Sequence, residues 1–220
     1  MQNQATVPPE KGILLDISWR MHPSVCGFIS DVFYDGRLAS YPGAAQRRLV
    51  LQPGAHPKLR PTGLSIVEVN HKGCTQSSIE EAIAVGDLVK SLLAQSLRDK
   101  DGAVSKFELN DVVVVEPFNA QVNLLRRYLP EGTRVGTVDK FQGQEAAVAV
   151  ISMATSNGAE APRGSEFLFN MNRLNVAISR AQCLAILVRG TYLLEMSPRN
   201  IGDLERLEGF ARADEMFGQV

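Results

Sequence analysis

Three short words in this chain hold residue types suited to phosphate chemistry: Ser18-Trp19-Arg20-Met21-His22-Pro23, Val138-Asp139-Lys140-Phe141-Gln142-Gly143-Gln144-Glu145 and Asn175-Val176-Ala177-Ile178-Ser179-Arg180-Ala181. A guanidinium grips phosphate oxygens through two parallel N–H donors, so Arg20 and Arg180 are candidate phosphate ligands. Trp19 offers a planar face on which a base can stack. Singly these signals are weak, because a loop Arg is more often solvated or salt-bridged, a Trp more often a core residue, and Gln-Gly more often a turn. Their combination and order carry the weight. Nowhere do the 220 residues contain Gly-x-x-x-x-Gly-Lys followed by Ser or Thr, the loop whose amides cradle nucleotide phosphates and whose hydroxyl holds magnesium. The chain has residues that could complete a nucleotide site and lacks those that build one.

The elements around these words alternate between strand and helix patterns, the signature of an α/β fold with a mostly parallel sheet. Residues 12–17 form a short apolar stretch suited to a buried strand, and Val25, Phe28, Ile29, Val32 and Phe33 then fall at helical spacing, with Pro23 or Ser24 at the start and Asp35-Gly36 as the stop. The first word thus lies in a strand-to-helix turn. Residues 39–63 read as an irregular excursion and 64–69 as a strand. A helix is predicted over 77–97, capped by Ser77 or Ser78, with Ile79, Ile83, Val89, Leu92 and Leu93 sharing much of a face. The run from Val112 to Val115 reads as a strand covered on both faces. Further strands are predicted over 134–138, 147–153 and 184–188, helices over 119–129 and 172–181, and a mobile loop or lid over 155–165. Residues 1–11 read as a linker, 12–195 as one domain and 196–220 as a tail.

A formal charge of −1 excludes a uniformly basic coat, though a local basic face remains open. Arg outnumbers Lys by 16 to 7, a bias that mildly favours phosphate contacts and that a G+C-rich genome would also produce. Cys26, Cys74 and Cys183 are odd in number and far apart, so neither a disulfide framework nor a Cys-x-x-Cys clip is available. His22, His56 and His71 have no ligand spacing, and no structural metal is expected. No apolar run approaches the roughly 20 residues that span a bilayer, and the N-terminal residues lack a signal-peptide profile. A reducing, cytoplasmic setting without membrane contact is the expectation.

Together and in order, the three words resemble those of the second, C-terminal RecA-like domain of superfamily 1 helicases, in the branch that contains the nonsense-mediated-decay RNA helicase and its DNA-acting relatives. The resemblance covers residues 13–188 and implies a P-loop-NTPase-type three-layer sandwich without its own P-loop. It implies that Trp19 flanks the adenine, that Arg20 reaches the γ-phosphate, and that Gln142 senses that phosphate or the attacking water. Gly143 would let backbone approach the phosphate, Glu145 would accept from a ribose hydroxyl, and Arg180 would be the arginine finger. ATP with Mg²⁺ is implied, the Mg²⁺ ligands lying on a preceding N-terminal RecA-like domain. This chain departs from the pattern at Ser18 (Gln in the family), Trp19 (Tyr), Gln144 (often Arg), Ser179 (Thr) and Gln182 (often Arg).

Glu116-Pro117-Phe118-Asn119-Ala120-Gln121 resembles the family's Thr-Pro-Tyr-x-x-Gln, which implies contacts from Pro117, Asn119 and Gln121 to the backbone of a single strand. Phe118 either stacks on a base or packs, and Glu116 replaces a hydroxyl residue. Thr137 and Asp139 stand where the family links its nucleotide site to the strand. Ala161-Pro162-Arg163-Gly164-Ser165-Glu166-Phe167-Leu168 resembles bacterial proteins that fuse a RecB-type nuclease to such a helicase, which implies DNA in preference to RNA. The alternative is a non-catalytic nucleic-acid or protein platform on the same fold. The departures favour it, and the retention of Arg20, Glu145 and Arg180 argues against it.

Overall fold

The computed structural model describes residues 14–141 and 143–218, so Gln142 and the expected linker at 1–11 lie outside the described residues. The regular elements, in chain order, are β1 (Ile17–Ser18), α1 (Pro23–Phe33), β2 (Ala39–Ser40), β3 (Arg48–Val50), β4 (Gly63–Val69), α2 (Ile79–Leu93), β5 (Ser96–Arg98), β6 (Val104–Lys106), β7 (Val112–Glu116), α3 (Asn119–Tyr128), β8 (Arg134–Thr137), β9 (Ala146–Ser152), α4 (Gly164–Leu168), α5 (Met171–Ile178), β10 (Ala181–Gly190) and α6 (Ile201–Gly218).

Every residue of β7 and β9 is buried, because these β-branched and small apolar runs are covered on both faces. They lie inside a five-stranded, all-parallel sheet of order β4-β10-β9-β7-β8. On one face Val25, Phe28 and Ile29 of α1, Leu174 and Ile178 of α5, and Phe210 and Phe217 of α6 join the sheet in one core. On the other, Val85, Leu88, Val89 and Leu92 of α2 pack with Val122 and Leu125 of α3. The architecture is the expected RecA-like three-layer α/β sandwich. No helix among the described residues is long and apolar enough to cross a membrane.

Local chemistry explains most boundaries. The His22 side chain accepts from the Ser24 amide to cap α1, and Asp35 and Gly36, at φ +53° and +71°, end it in left-handed backbone. Ser78 caps α2 by accepting from the Glu81 amide. Two elements differ from expectation. The stretch expected as a buried strand is described from residue 14 onward and gives only β1 there, which pairs with β2 outside the main sheet, and Leu15 and Ile17 are 82% and 50% exposed. This segment is held through its backbone instead, the His22 amide donating to the Gln182 carbonyl at 2.7 Å. Helix α2 stops at Leu93, after which Ser96–Arg98 turns into a small antiparallel sheet with β3 and β6. Its buried face also differs: Ile79 and Ile83 are largely exposed, while Ala82, Val85, Gly86 and Val89 face the core. Gly86 permits this packing, since a Cβ there would lie 3.1 Å from the Tyr128 carbonyl of α3.

Residues 196–220, expected as a tail, contain α6, which is built into the core. Phe217 is fully buried and meets Phe28 edge-on at 5.3 Å between ring centres. Arg189 of β10 reaches α6 through a two-pronged ion pair with Asp214, both bonds 2.6 Å, and binds Glu68 of β4 at 2.9 Å. Replacing Phe217 with Ala should lower the stability of the chain by about 3–5 kcal/mol in chemical denaturation. An unchanged midpoint would mean that α6 folds independently of the sheet.

Candidate functional site

Parallel pairing brings distant parts of the sequence to one sheet edge. Ala146 and Ala181 are register partners at the starts of β9 and β10, so Glu145 and Arg180, each one residue upstream, stand side by side at the N-terminal edge. Arg20 arrives from the β1–α1 turn: its Nε donates to Glu145 Oε2 at 2.5 Å and its Nη1 to the Ser179 carbonyl at 3.0 Å. Gln182 completes the grip on Glu145 with a 2.9 Å bond to Oε1. Burial alone would raise the Glu145 carboxyl, but the hydrogen bonds from Arg20 and Gln182 and the charges of Arg20 and Arg47 outweigh it and hold the group below the usual carboxylate range. Burial, aided by the nearby Arg20 charge, lowers Arg180 from the ordinary guanidinium value.

Arg180 is folded back on its own domain. Its Nε donates to the Val176 carbonyl at 2.9 Å, its Nη1 to the Phe141 and Gln144 carbonyls at 3.2 and 3.0 Å, and its Nη2 to Ser179 Oγ at 3.2 Å. Between those two carbonyls Gly143 takes φ +80°, a conformation that strains any other residue, with open space around its Cα. Trp19 is 65% exposed and stacks on Tyr41 at 4.1 Å and 23°. Arg47 fastens this corner by donating to the Trp19 and Arg20 carbonyls. Of the residues read for nucleotide contact, the fold gathers Arg20, Gly143, Glu145 and Arg180 with Trp19 at the margin, and Gln142 lies outside the described residues.

Four of the five residues read for strand contact gather at the opposite edge. Past the C-terminal ends of β7 and β8 lies a cavity of about 290 Å³ whose lining includes Pro117, Asn119, Thr137 and Asp139. Gln121 does not reach it. It is fully buried, and its amide is spent internally, Oε1 accepting from the Ser78 amide at 2.9 Å and Nε2 donating to the Ser78 carbonyl at 3.1 Å. Gln121 therefore positions the start of α2 in place of the expected strand contact. Phe118 packs: it is 5% exposed and lies 5.4 Å from Phe167. Arg163, Phe167 and Arg173, which the sequence reading left without a role, also line the cavity. The word that contains Arg163 and Phe167 was legible, but its use was not.

Two buried carboxyls lie behind this edge. Glu81 accepts from Ser152 Oγ at 2.6 Å, from the Met153 and Ala154 amides at 3.0 Å each, and bonds His71 Nε2 at 3.0 Å, while His71 Nδ1 meets Ser156 Oγ at 2.7 Å. This network pins the start of the segment expected as a mobile loop, with Thr155 and Ser156 both buried. Glu116 has no hydrogen-bond partner on either carboxyl oxygen, and burial, with the charge of Glu81, pushes it well above the usual range. The shift is toward the uncharged form, so Glu116 bears less negative charge at this position than an exposed glutamate would.

Known proteins are similar in sequence to this chain over most of its length. The chain belongs to the AAA domain family, which matches residues 1–191. It is 31% identical over 184 residues to the DNA polymerase alpha-associated DNA helicase A of Schizosaccharomyces pombe, covering 76% of this chain and 26% of that protein. It is 29% identical over 181 residues to the DNA-binding protein SMUBP-2 of Rattus norvegicus (77% and 17%) and 30% identical over 180 residues to the regulator of nonsense transcripts 1 homolog of Drosophila melanogaster (79% and 15%). The chain thus spans about a quarter or less of the curated relatives it matches.

Both carboxyls can be followed by carboxyl-carbon NMR. Glu145 should titrate below an ordinary glutamate and move upward in Arg20→Ala. Because its pKa is depressed in the fold, its stabilising contribution is present above the unfolded pKa and disappears as pH falls through the folded one. Glu116 has the opposite sign: it favours the fold at low pH and costs stability as pH rises from the unfolded pKa. Glu116→Gln should therefore gain melting temperature over wild type at about pH 8 relative to about pH 5, and a pH-independent difference would refute the upward shift of this carboxyl.

Proposed function

We propose that this chain is the second motor domain of an ATP-dependent superfamily 1 helicase, acting on ATP bound by a preceding RecA-like domain of the same protein. The observation that carries the reading is the assembly of Arg20, Glu145 and Arg180 at one exposed sheet edge in a chain that has no phosphate-binding loop of its own. Such an edge supplies cations and a hydrogen-bonding carboxylate to a nucleotide held elsewhere. Trp19, exposed and pre-stacked on Tyr41, presents a face to the adenine, and Glu145 accepts from the ribose. Mg²⁺, held by the preceding domain, would neutralise charge between the β- and γ-phosphates.

Within the chain, Arg20 is oriented by Glu145, and Arg180 rests on four acceptors that it must exchange for phosphate oxygens on domain closure. That exchange replaces neutral carbonyl acceptors with charged ones and so favours the closed state. The cavity bounded by Asn119, Thr137 and Asp139 then holds a single strand by its backbone, without reading sequence. Single-stranded DNA is preferred to RNA in this reading, supported by the 161–168 word and by the name of the S. pombe relative; a cytoplasmic setting accords with three unpaired cysteines.

In a protein that carries this chain behind its P-loop domain, Arg180→Ala should lower strand-stimulated ATP hydrolysis by about 10³-fold or more while leaving strand affinity within a few-fold of wild type. Unchanged turnover in a phosphate-release assay would remove the finger role and favour the non-catalytic platform.

A further inference from the structure

The strand cavity holds two arginines on one aromatic ring. The guanidinium carbon of Arg163 lies 4.8 Å, and that of Arg173 4.3 Å, from the centroid of Phe167. All three side chains line the cavity with Asn119 and Thr137. Among the described residues neither guanidinium is ion-paired, whereas Arg20 and Arg189 are each committed to a carboxylate. The ring that carries them is anchored, because Phe167 leans on Phe118, the buried residue that follows β7 and precedes α3.

We propose that Arg163 and Arg173, held in place by Phe167, are the cations that grip the phosphodiester backbone of the bound strand, a reading that rests on the assignment of this cavity to single-stranded nucleic acid. A guanidinium lying against an aromatic face gives up little hydration, and its N–H edge stays available for a phosphate. Sharing one ring fixes two flexible side chains before the strand arrives, which reduces the ordering cost of binding. Two arginines, Arg163 and Arg173, face one exposed-edge carboxylate, Asp139, across the cavity, and burial shifts the Glu116 carboxyl upward, toward its uncharged form. The α3 amides also begin here without a side-chain cap, as Phe118 provides none. A volume of about 290 Å³ is at or below the lower end of the roughly 300–1,000 Å³ typical of enclosed small-molecule sites, and it suits a passing backbone segment better.

The test is fluorescence anisotropy of a labelled oligothymidylate with the full chain, titrated at several salt concentrations, with circular dichroism to verify that each variant is folded. Arg163→Ala and Arg173→Ala should each weaken binding by roughly three- to tenfold and lower the slope of log affinity against log salt by about 0.7, the value for one phosphate contact on a single strand. Phe167→Ala, which removes no charge, should also weaken binding, and Phe167→Trp should restore it. Arg126→Ala, an exposed arginine at the far end of α3, is the control and should leave both quantities unchanged. Binding by wild type with the same affinity and slope in Arg163→Ala and Arg173→Ala overturns this inference alone, as does an equal loss in Arg126→Ala. Failure of wild type to bind the oligonucleotide at low salt overturns the strand assignment itself and this inference with it.

Discussion

All five strands of the main sheet run in the same direction, and every connection between them must therefore return from one edge of the sheet to the other. Between β8 and β9 that return is made by the stretch from Val138 to Glu145, whose described residues form a 3-10 turn over Val138–Phe141 and no α-helix. Phe141, 2% exposed and packed in the α1–α5–α6 core, anchors it midway. One continuous word thus begins at the cavity with Val138 and Asp139 and ends at the arginine cluster with Gly143 and Glu145. A helical crossover would have separated the two sites by an element with its own packing. The direct connection makes them two ends of one backbone segment.

The two edges manage arginine differently. At the N-terminal edge Arg180 feels the charge of Arg20, and Glu145, hydrogen-bonded to Arg20, acts on Arg180 in the opposite direction. Without that carboxylate, two partly buried guanidinium groups would repel. At the C-terminal edge Arg163 and Arg173 make no ion pair among the described residues and rest on an aromatic face. The first arrangement commits its guanidinium groups to acceptors of the chain itself; the second leaves N–H donors open to the cavity.

How much of this was legible depends on whether a residue's role is local. The β7 and β9 strands were readable because an unbroken β-branched or small apolar run fits only a strand covered on both faces. The stop of α1 was readable because Asp-Gly ends helices by backbone preference alone. The buried face of α2 was not: its apolar residues form more than one stripe, and the choice among them is made by the close approach of α3 at Gly86. The core role of α6 was hidden because Phe210 and Phe217 lie among polar residues with little amphipathic pattern, and only the site they meet on the sheet reveals them. Gln121 was read from a resemblance as a strand contact, but its amide is complementary to the backbone of Ser78, a partner 43 residues away. The paired arginines on Phe167 depend on the path of the 155–169 segment, which no propensity encodes.

That path has a physical cause that links the two edges further. The Glu81 carboxylate accepts from the Met153 and Ala154 amides as β9 ends, and Ala154 takes a left-handed φ of +58°. A non-glycine residue in that region costs on the order of 1 kcal/mol or more, and it persists where the surroundings over-determine it. Here Glu81 provides that constraint, with His71 and Ser156 locking the next turn. The turn directs the chain away from the sheet toward α4, which carries Phe167, and then into α5, which holds Arg173 in its first turn and is followed, past its Ser179 cap, by Arg180. Helix α5 thus runs from Arg173, which lines the cavity, to the turn before Arg180, whose Nη1 binds the Phe141 and Gln144 carbonyls of the β8–β9 connection, so both connections between the two sheet ends meet at Arg180.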